Sequence, residues 1–168
     1  IRMTRFAVRG LALALAVSAI GVGYVEASAP GGKSSSKVST KTVTEAEAEA
    51  TLKGAGSQVS AKGYAESKVI TVTNTVTNTT TVNSCLSITV KGLANLEGQV
   101  VTFNLGTTAL GTGTVKSGRA SLKLSSKTAT VPTVNQGDTI TVVDPDGITT
   151  DLSGAYGAIQ TETETSGK

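Results

Sequence analysis

The sequence predicts an all-β fold, a single antiparallel β-sandwich preceded by a helical signal peptide and a disordered linker. Three observations predict the sandwich. Short runs in which apolar and polar residues alternate recur along the chain, and such runs form strands that bury one face. Turn residues separate these runs about every ten positions, a spacing typical of β-sandwiches. β-Branched residues, which favour strands, dominate the middle of the chain.

Residues 1–29 have the three parts of a secretory signal peptide. Arg5 and Arg9 precede an apolar run over 10–25, and the small residues Ala27-Ser28-Ala29 follow it. The apolar run is shorter than the roughly 20 residues of a membrane span. We therefore expect cleavage after Ala29 and a secreted, extracellular or cell-surface location, with a retained membrane anchor as the alternative.

Three further segments follow the signal peptide. Residues 30–44 are rich in Gly, Ser, Thr and Lys without apolar periodicity, which predicts a flexible linker. Residues 45–157 have the size of one domain, and we place the β-sandwich there. Residues 158–168 are polar and predict a frayed tail.

The first predicted strands come from alternating patterns. Residues 45–52 alternate Glu and Ala, which favours a strand with Ala facing inward. In 58–66 the pattern directs Val59, Ala61 and Tyr64 toward the core, with Gly63 at a bulge.

A threonine-rich stretch at 69–82 predicts an extended segment with a turn near 78–81. If the stretch is extended, the odd-numbered threonines from Thr71 to Thr81 share one face. That row could recognise ice or glycans, although the solvated face of an edge strand is the ordinary explanation. The long threonine-rich edge also allows self-association.

The remaining predicted strands lie at 86–90, 100–105, 111–115 and 119–125, followed by a hairpin of 139–143 and 148–152. Asp144-Pro145-Asp146-Gly147 forms the hairpin turn, because Pro presets φ, Asp accepts local backbone hydrogen bonds and Gly supplies a positive φ. Few aromatic residues follow the signal peptide, and we expect Tyr64, Phe103 and Tyr156 in the core.

Composition argues against several chemistries. The chain contains no histidine, which removes His-based nucleophile pairs, general bases and zinc ligands. Cleavage of the signal peptide leaves 12 basic and 11 acidic residues, a net charge of +1. The lysines look scattered and Arg119 is then the only arginine, so we expect no nucleic-acid binding. Cys85, the only cysteine, predicts a small buried core residue.

The acids are the remaining candidates for a site. Each of Glu97, Asp138, Asp144, Asp146 and Asp151 falls in a turn or at an outward strand position, which disfavours a facing carboxylate pair for glycoside hydrolysis. Asp144, Asp146 and either Asp138 or Asp151 could gather Ca²⁺ at one end of the sandwich, but a plain hairpin turn is the simpler interpretation. We assign no catalytic, cofactor-binding or metal-binding residue.

The order of segments resembles a domain family. A strand ending in Gly-Leu is followed by GQVVTFNLGTTALGTGTV, GRASLKL, VPTV, Gly-Asp, TITVVD and LSGAY. This order is similar to that of a secreted bacterial Ig-like β-sandwich family of unknown function, and the upstream KGYAESK resembles a short strand that often precedes the block. The resemblance covers about 48–156, implies an exported Ig-like sandwich, and carries no catalytic residues. The threonine-rich 73–83 departs from the family pattern.

These observations predict a non-catalytic, secreted or cell-surface protein with a structural, adhesive or matrix-interaction role. Its expected partners are proteins or glycans at the cell surface or in the matrix, with no nucleic acid, no membrane after signal cleavage and no cofactor. The alternative is a small-ligand module for calcium or glycan at the loop end near 144–147. The sequence does not set the oligomeric state.

Overall fold

A computed structural model describes residues 39–147 and 149–167, and over these ranges the chain is all-β. The signal peptide at 1–29, the linker as far as residue 38, Ile148 and Lys168 lie outside the described residues. The strands are β1 Thr40–Gly54, β2 Lys62–Asn74, β3 Thr79–Lys91, β4 Val100–Leu105, β5 Thr108–Thr114, β6 Arg119–Ser125, β7 Thr139–Val143, β8 Thr150–Ala155 and β9 Gln160–Gly167. Two 3-10 turns, Gly56–Gln58 and Ala94–Leu96, complete the described elements, and no helix in these ranges could cross a membrane.

The strands form an antiparallel sandwich with the order β5-β4-β7-β8-β1-β2-β3-β6, and β9 pairs separately with β1. β8 and β1 share two residue pairs, Lys53 with Ser153 and Gly54 with Leu152, so this narrow seam joins the two layers. The two layers also approach each other where β5 and β6, the first and last strands of this order, come close. A Cβ on Gly113 of β5 would lie 3.0 Å from the Ser121 carbonyl oxygen of β6. The sandwich is therefore nearly closed.

The core lies between the two layers and follows the predicted alternation. Phe103 and Val101 of β4 and Ile140 and Val142 of β7 are fully buried. The facing layer contributes every second residue of β1, β2, β3 and β6, namely Ala48, Ala50, Leu52, Ala65, Leu86, Ile88, Val90 and Ala120. Every second residue is buried because successive side chains of a strand point to opposite faces, one toward the core and one toward solvent.

The β-sheet extends farther at both ends of the chain than the predicted domain bounds of 45–157. β1 begins at Thr40, so residues 40–44 belong to a strand and not to the linker. The segment predicted as a frayed tail contains β9, whose Thr165 lies opposite Thr42. The physical reason is the same at both ends: each segment satisfies its backbone hydrogen bonds by pairing with the other, although neither is apolar.

Three core predictions around the start of β2 are only partly correct. Ala61 is buried, but Val59 is 78% exposed and Tyr64 is 40% exposed. Val59 ends a 3-10 turn and points away, while the register of β2 gives the inward positions to Gly63 and Ala65. Gly63 is not at a bulge, because its pairing with Leu52 and Val90 is regular; a Cβ there would lie 2.6 Å from a Val90 methyl carbon.

Two predictions about β3 also need correction. The threonine-rich turn lies at 75–78 rather than 78–81, with Asn78 at a φ of 49°. Cys85 is partly exposed rather than buried, because it lies on the outward face of β3 opposite Lys68. Its thiol is free.

Candidate functional site

Four cations lie side by side across one end of the sheet. Lys53 of β1 is opposite Lys62 of β2, Lys62 is opposite Lys91 of β3, and Lys91 is opposite Arg119 of β6. Residues directly opposite in antiparallel strands share a face, so these side chains project together from the outside of the sandwich. We call Lys53, Lys62, Lys91 and Arg119 the cationic row.

The cationic row is a concentration of positive charge whose members form no salt bridge among the described residues. Strands lie about 5 Å apart, so the row places one positive charge at about that interval over about 15 Å. All four residues are exposed, and the salt bridge found among the described residues joins Lys68 and Glu45 elsewhere on the face. Like charges directly opposite one another destabilise a sheet. Folding alone therefore gives no reason for this arrangement.

Three open grooves meet along the cationic row. One lies between Lys91, Gly118 and Arg119, with a volume of about 500 Å³. The second, of about 410 Å³, includes Tyr64 and Lys62, and the third, of about 480 Å³, lies beside Lys53 and reaches the exposed Val59. The row is thus bordered by recesses.

A row of hydroxyl groups runs beside the cationic row on the same face, two residues farther along each strand. It consists of Thr51, Tyr64, Thr89 and Ser121, which are directly opposite one another in β1, β2, β3 and β6. The pKa of Tyr64 is raised by partial burial and by its hydrogen bond to the Glu49 carboxylate. The phenol therefore stays protonated at any physiological pH, donating to the Glu49 carboxylate, and its oxygen can still accept a hydrogen bond.

Acids occupy the next positions along the same face. Glu49 is opposite Glu66, and Glu47 lies one step beyond, where burial and the Glu66 charge raise its pKa. On β1 and β2 the outer face therefore carries cations at one end, hydroxyls next and carboxylates beyond, whereas β3 and β6 continue the row of Glu49 and Glu66 with Ser87 and Lys123.

The acids predicted to gather a cation are placed differently. Asp144 and Asp146 build the β7–β8 turn: Asp146 N–H donates to Asp144 Oδ1 at 3.1 Å, and Thr149 N–H donates to Asp146 Oδ1 at 2.8 Å. Asp138 precedes β7 and accepts a 2.8 Å hydrogen bond from Asn135 N–H, so the length of the strand separates it from the turn. No three Asp, Glu, Cys or His side chains of the described residues could hold a metal ion together.

Asp151 is a buried acid that the sequence pattern placed outside. β8 has one extra residue here, because Leu152 is opposite Val142 while Thr150 is opposite Val143. The bulge turns Asp151 inward, where it is 2% exposed and its Oδ2 has no hydrogen-bond partner among the described residues. Burial, with smaller contributions from the charges of Asp144 and Asp146, raises the pKa of Asp151 to about 6.

Replacing Asp151 by asparagine should remove a pH dependence of stability. The folded state holds the proton more tightly than the unfolded chain, so the free energy of unfolding of the natural protein falls as the pH rises from about 4 through about 6. Asp151→Asn has no charge to bury, and we expect it to be more stable than the natural protein at pH 7.5 by on the order of 1 to 2 kcal/mol. Urea unfolding at pH 4 and 7.5 measures this, with Asp138→Asn as the control; an unchanged pH dependence in Asp151→Asn would contradict the burial argument.

The threonine row predicted at 71–81 is divided between two faces. The turn at 75–78 reverses the chain, so Thr73 faces Thr80, while Thr81 shares the opposite face with Val72. A larger array of threonines lies where β9, β1, β2 and β3 continue past the buried core, on the face that points inward elsewhere in these strands. This threonine grid consists of the row Thr165, Thr42, Thr73, Thr80 and the row Thr163, Thr44, Thr71.

Neighbouring hydroxyls of the threonine grid contact one another. The Oγ1 atoms of Thr42 and Thr165 are 3.5 Å apart, those of Thr44 and Thr163 are 3.3 Å apart, and those of Thr73 and Thr80 are 3.4 Å apart. The grid spans β9, β1, β2 and β3, so it is a surface and not a single line.

Comparison with known proteins adds no assignment. No protein-family model matches the chain, and no curated protein has a significant similarity to it.

Proposed function

We propose that the chain is a non-catalytic, exported β-sandwich with a structural, adhesive or matrix-interaction role, and that its cationic row binds an anionic polysaccharide. The observation that carries the proposal is the alignment of Lys53, Lys62, Lys91 and Arg119 across four adjacent strands, with no salt bridge to any of them among the described residues. Export remains the expectation drawn from residues 1–29.

The spacing and chemistry of the face favour a linear acidic glycan. A row of cations about 5 Å apart can contact carboxylate or sulfate groups on successive sugar units of an extended chain. The adjacent hydroxyls of Thr51, Thr89 and Ser121 can exchange hydrogen bonds with sugar hydroxyls. Tyr64 supplies one exposed aromatic ring beside the cations.

Nucleic acid fits the same face less well. Its recognition commonly combines several arginines with aromatic side chains on which bases stack. The cationic row contains one arginine, and Tyr64 is the exposed aromatic residue among those described, since Phe103 and Tyr156 are buried. An acidic polysaccharide can bind through its carboxylate or sulfate groups without the forked guanidinium groups of several arginines and without a series of stacking aromatic rings.

Charge reversal in the middle of the cationic row tests the proposal. Binding to immobilised alginate and heparin is measured for the natural protein and for Lys62→Glu/Lys91→Glu at several salt concentrations. We expect the natural protein to bind and to weaken with salt, and the double variant to bind at least about tenfold more weakly. Lys41→Glu/Lys127→Glu, which makes the same change in net charge away from the row, should bind like the natural protein.

Two results would contradict the proposal. One is equal loss of binding in both double variants, which would indicate attraction by net charge without a site. The other is tighter binding to a DNA duplex than to either polysaccharide, which would assign the row to nucleic acid.

A further inference from the structure

The edge of β9 that faces away from β1 has no partner among the described strands. All eight residues of β9 are exposed, and the strand pairs with β1 and with no other described strand. Its sequence alternates, with Thr161, Thr163 and Thr165 on the inward side and Glu162 and Glu164 on the outward side. An open strand edge presents a row of unpaired N–H and C=O groups that can receive another strand.

On the opposite side of this four-stranded region, the first part of β3 also has an edge that no described strand covers. β6 pairs with the second half of β3, from Cys85 to Lys91, and Ser126 donates its N–H to the Ser84 carbonyl oxygen. Residues 79–83 of β3 therefore have a strand partner, β2, on one side only among the described strands. Their sequence, TTTVN, contains neither a charge nor a proline, the usual devices that protect an edge.

The directions of the strands make these two edges compatible. β9, β1, β2 and β3 are neighbours in this order and each pair is antiparallel. β3 therefore runs opposite to β9, and a second copy placed beside the first in the same orientation sets its β9 antiparallel to β3. We infer that copies of this chain add end to end through β9 and residues 79–83 of β3, forming a continuous sheet and hence an open filament.

The side chains at the proposed junction are complementary. With no offset along the strands, the threonine grid continues across it, because Thr80 of one copy meets Thr165 of the next. On the outward face, Thr81 and Asn83 meet Glu164 and Glu162 of the next copy, so no like charges oppose each other. Two β9 edges brought together would instead oppose their glutamates, which is unfavourable.

The experiment places glutamates on the β3 side of the junction. Sedimentation velocity over a series of concentrations, with negative-stain electron microscopy, follows the purified full chain and Thr81→Glu/Asn83→Glu. We expect the natural chain to form species larger than a dimer whose mass grows with concentration. The variant should need at least about tenfold more protein for the same degree of assembly, because its new acids face Glu164 and Glu162 of the next copy.

Two further variants make the test specific. Thr112→Glu/Thr114→Glu, on the exposed positions of β5, changes the net charge equally and should assemble like the natural chain. Adding Glu162→Lys/Glu164→Lys to Thr81→Glu/Asn83→Glu exchanges repulsion for attraction and should restore assembly. Circular dichroism confirms that each variant is folded.

Clear results would overturn the inference. The inference is wrong if the natural chain stays monomeric at every concentration. It is also wrong if assembly stops at a dimer, since a dimer would indicate symmetric β3–β3 pairing. Failure of the lysine exchange to restore assembly in a folded protein would also reject the β9–β3 junction. The inference is independent of polysaccharide binding, because the cationic row lies at the other end of β2 and β3.

Discussion

Alanine in place of Phe103 is expected to lower the free energy of unfolding by about 3 to 5 kcal/mol. Phe103 is the largest fully buried side chain of the described residues, and it fills the space left by Gly113, whose Cβ would lie 3.0 Å from the Phe103 ring. The closely spaced backbone of β5 cannot easily collapse into the cavity. Because small domains are stable by about 5 to 15 kcal/mol, this one change would remove a large part of the total.

Urea denaturation measures the Phe103→Ala effect, and a change at the other side of β4 provides the control. Val100→Ala removes methyl groups from a side chain that is 47% exposed, and we expect it to cost less than about 1 kcal/mol. A loss for Phe103→Ala no larger than the loss for Val100→Ala would mean that the two layers are not packed around the ring.

Alanine in place of Gly54 should lower the free energy of unfolding nearly as much as Phe103→Ala, but by overpacking and not by leaving a cavity. A Cβ on Gly54 would lie 1.8 Å from the Gln58 carbonyl oxygen and 2.9 Å from that of Ala61. Both contacts are with backbone, so no side chain can move aside, and the Gly54 N–H donates to Ala61 O at 2.9 Å in the same turn. We expect Gly54→Ala to cost about 3 kcal/mol or more, the upper end of overpacking.

Gly157→Ala is the matched control for Gly54→Ala. Its Cβ would find the Glu49 carbonyl oxygen at 3.7 Å, an ordinary contact, so its effect should stay within about 0.5 kcal/mol. Thermal melting of both variants at one pH makes the comparison. If the melting temperatures of the two variants agree, the backbone does not approach Gly54 as closely as described. Because Gly54 pairs with Leu152 at the seam between the layers, the damage should extend to the whole sandwich.

The strands and the hairpin turn could be predicted because they depend on local pattern. β6 was predicted with its observed bounds, Arg119–Ser125, from the alternation of Ala120, Leu122 and Leu124 with polar residues. The turn after β7 was predicted from Asp144-Pro145-Asp146-Gly147, and Gly147 has the positive φ of 71° that this turn requires. Period-two patterning and turn chemistry act within a few residues, so a sequence displays them directly.

The cationic row could not be predicted in the same way, because register between distant strands creates it. The sequence did contain a signal: three of the four cations stand immediately before a glycine, as Lys53-Gly54, Lys62-Gly63 and Lys91-Gly92, and Arg119 follows Gly118. The pairs stand at the C-terminal ends of β1 and β3 and at the N-terminal ends of β2 and β6, and antiparallel pairing brings these ends together. The expectation that the lysines are scattered is therefore wrong.

The burial of Asp151 and the pairing of β9 show two further limits. A bulge reverses the facing of the residues around it, and nothing in the 150–155 pattern distinguishes the inserted Asp151 from an outward acid. β9 does alternate, but between Thr and Glu, so its pattern lacks the apolar residues that usually identify a strand. Both features depend on what the rest of the fold places opposite them.

The pairing of β1 with β9 has a consequence for how this protein reaches its final form. Thr40 lies opposite Gly167, and Glu47 lies opposite Gln160, so contacts between residues far apart in sequence close this side of the sheet. Such high contact order slows folding. A chain emerging N-terminus first from a ribosome must therefore keep one side of β1 unpaired until β9 arrives, and that interval is when β1 is most exposed to chaperones and to mispairing.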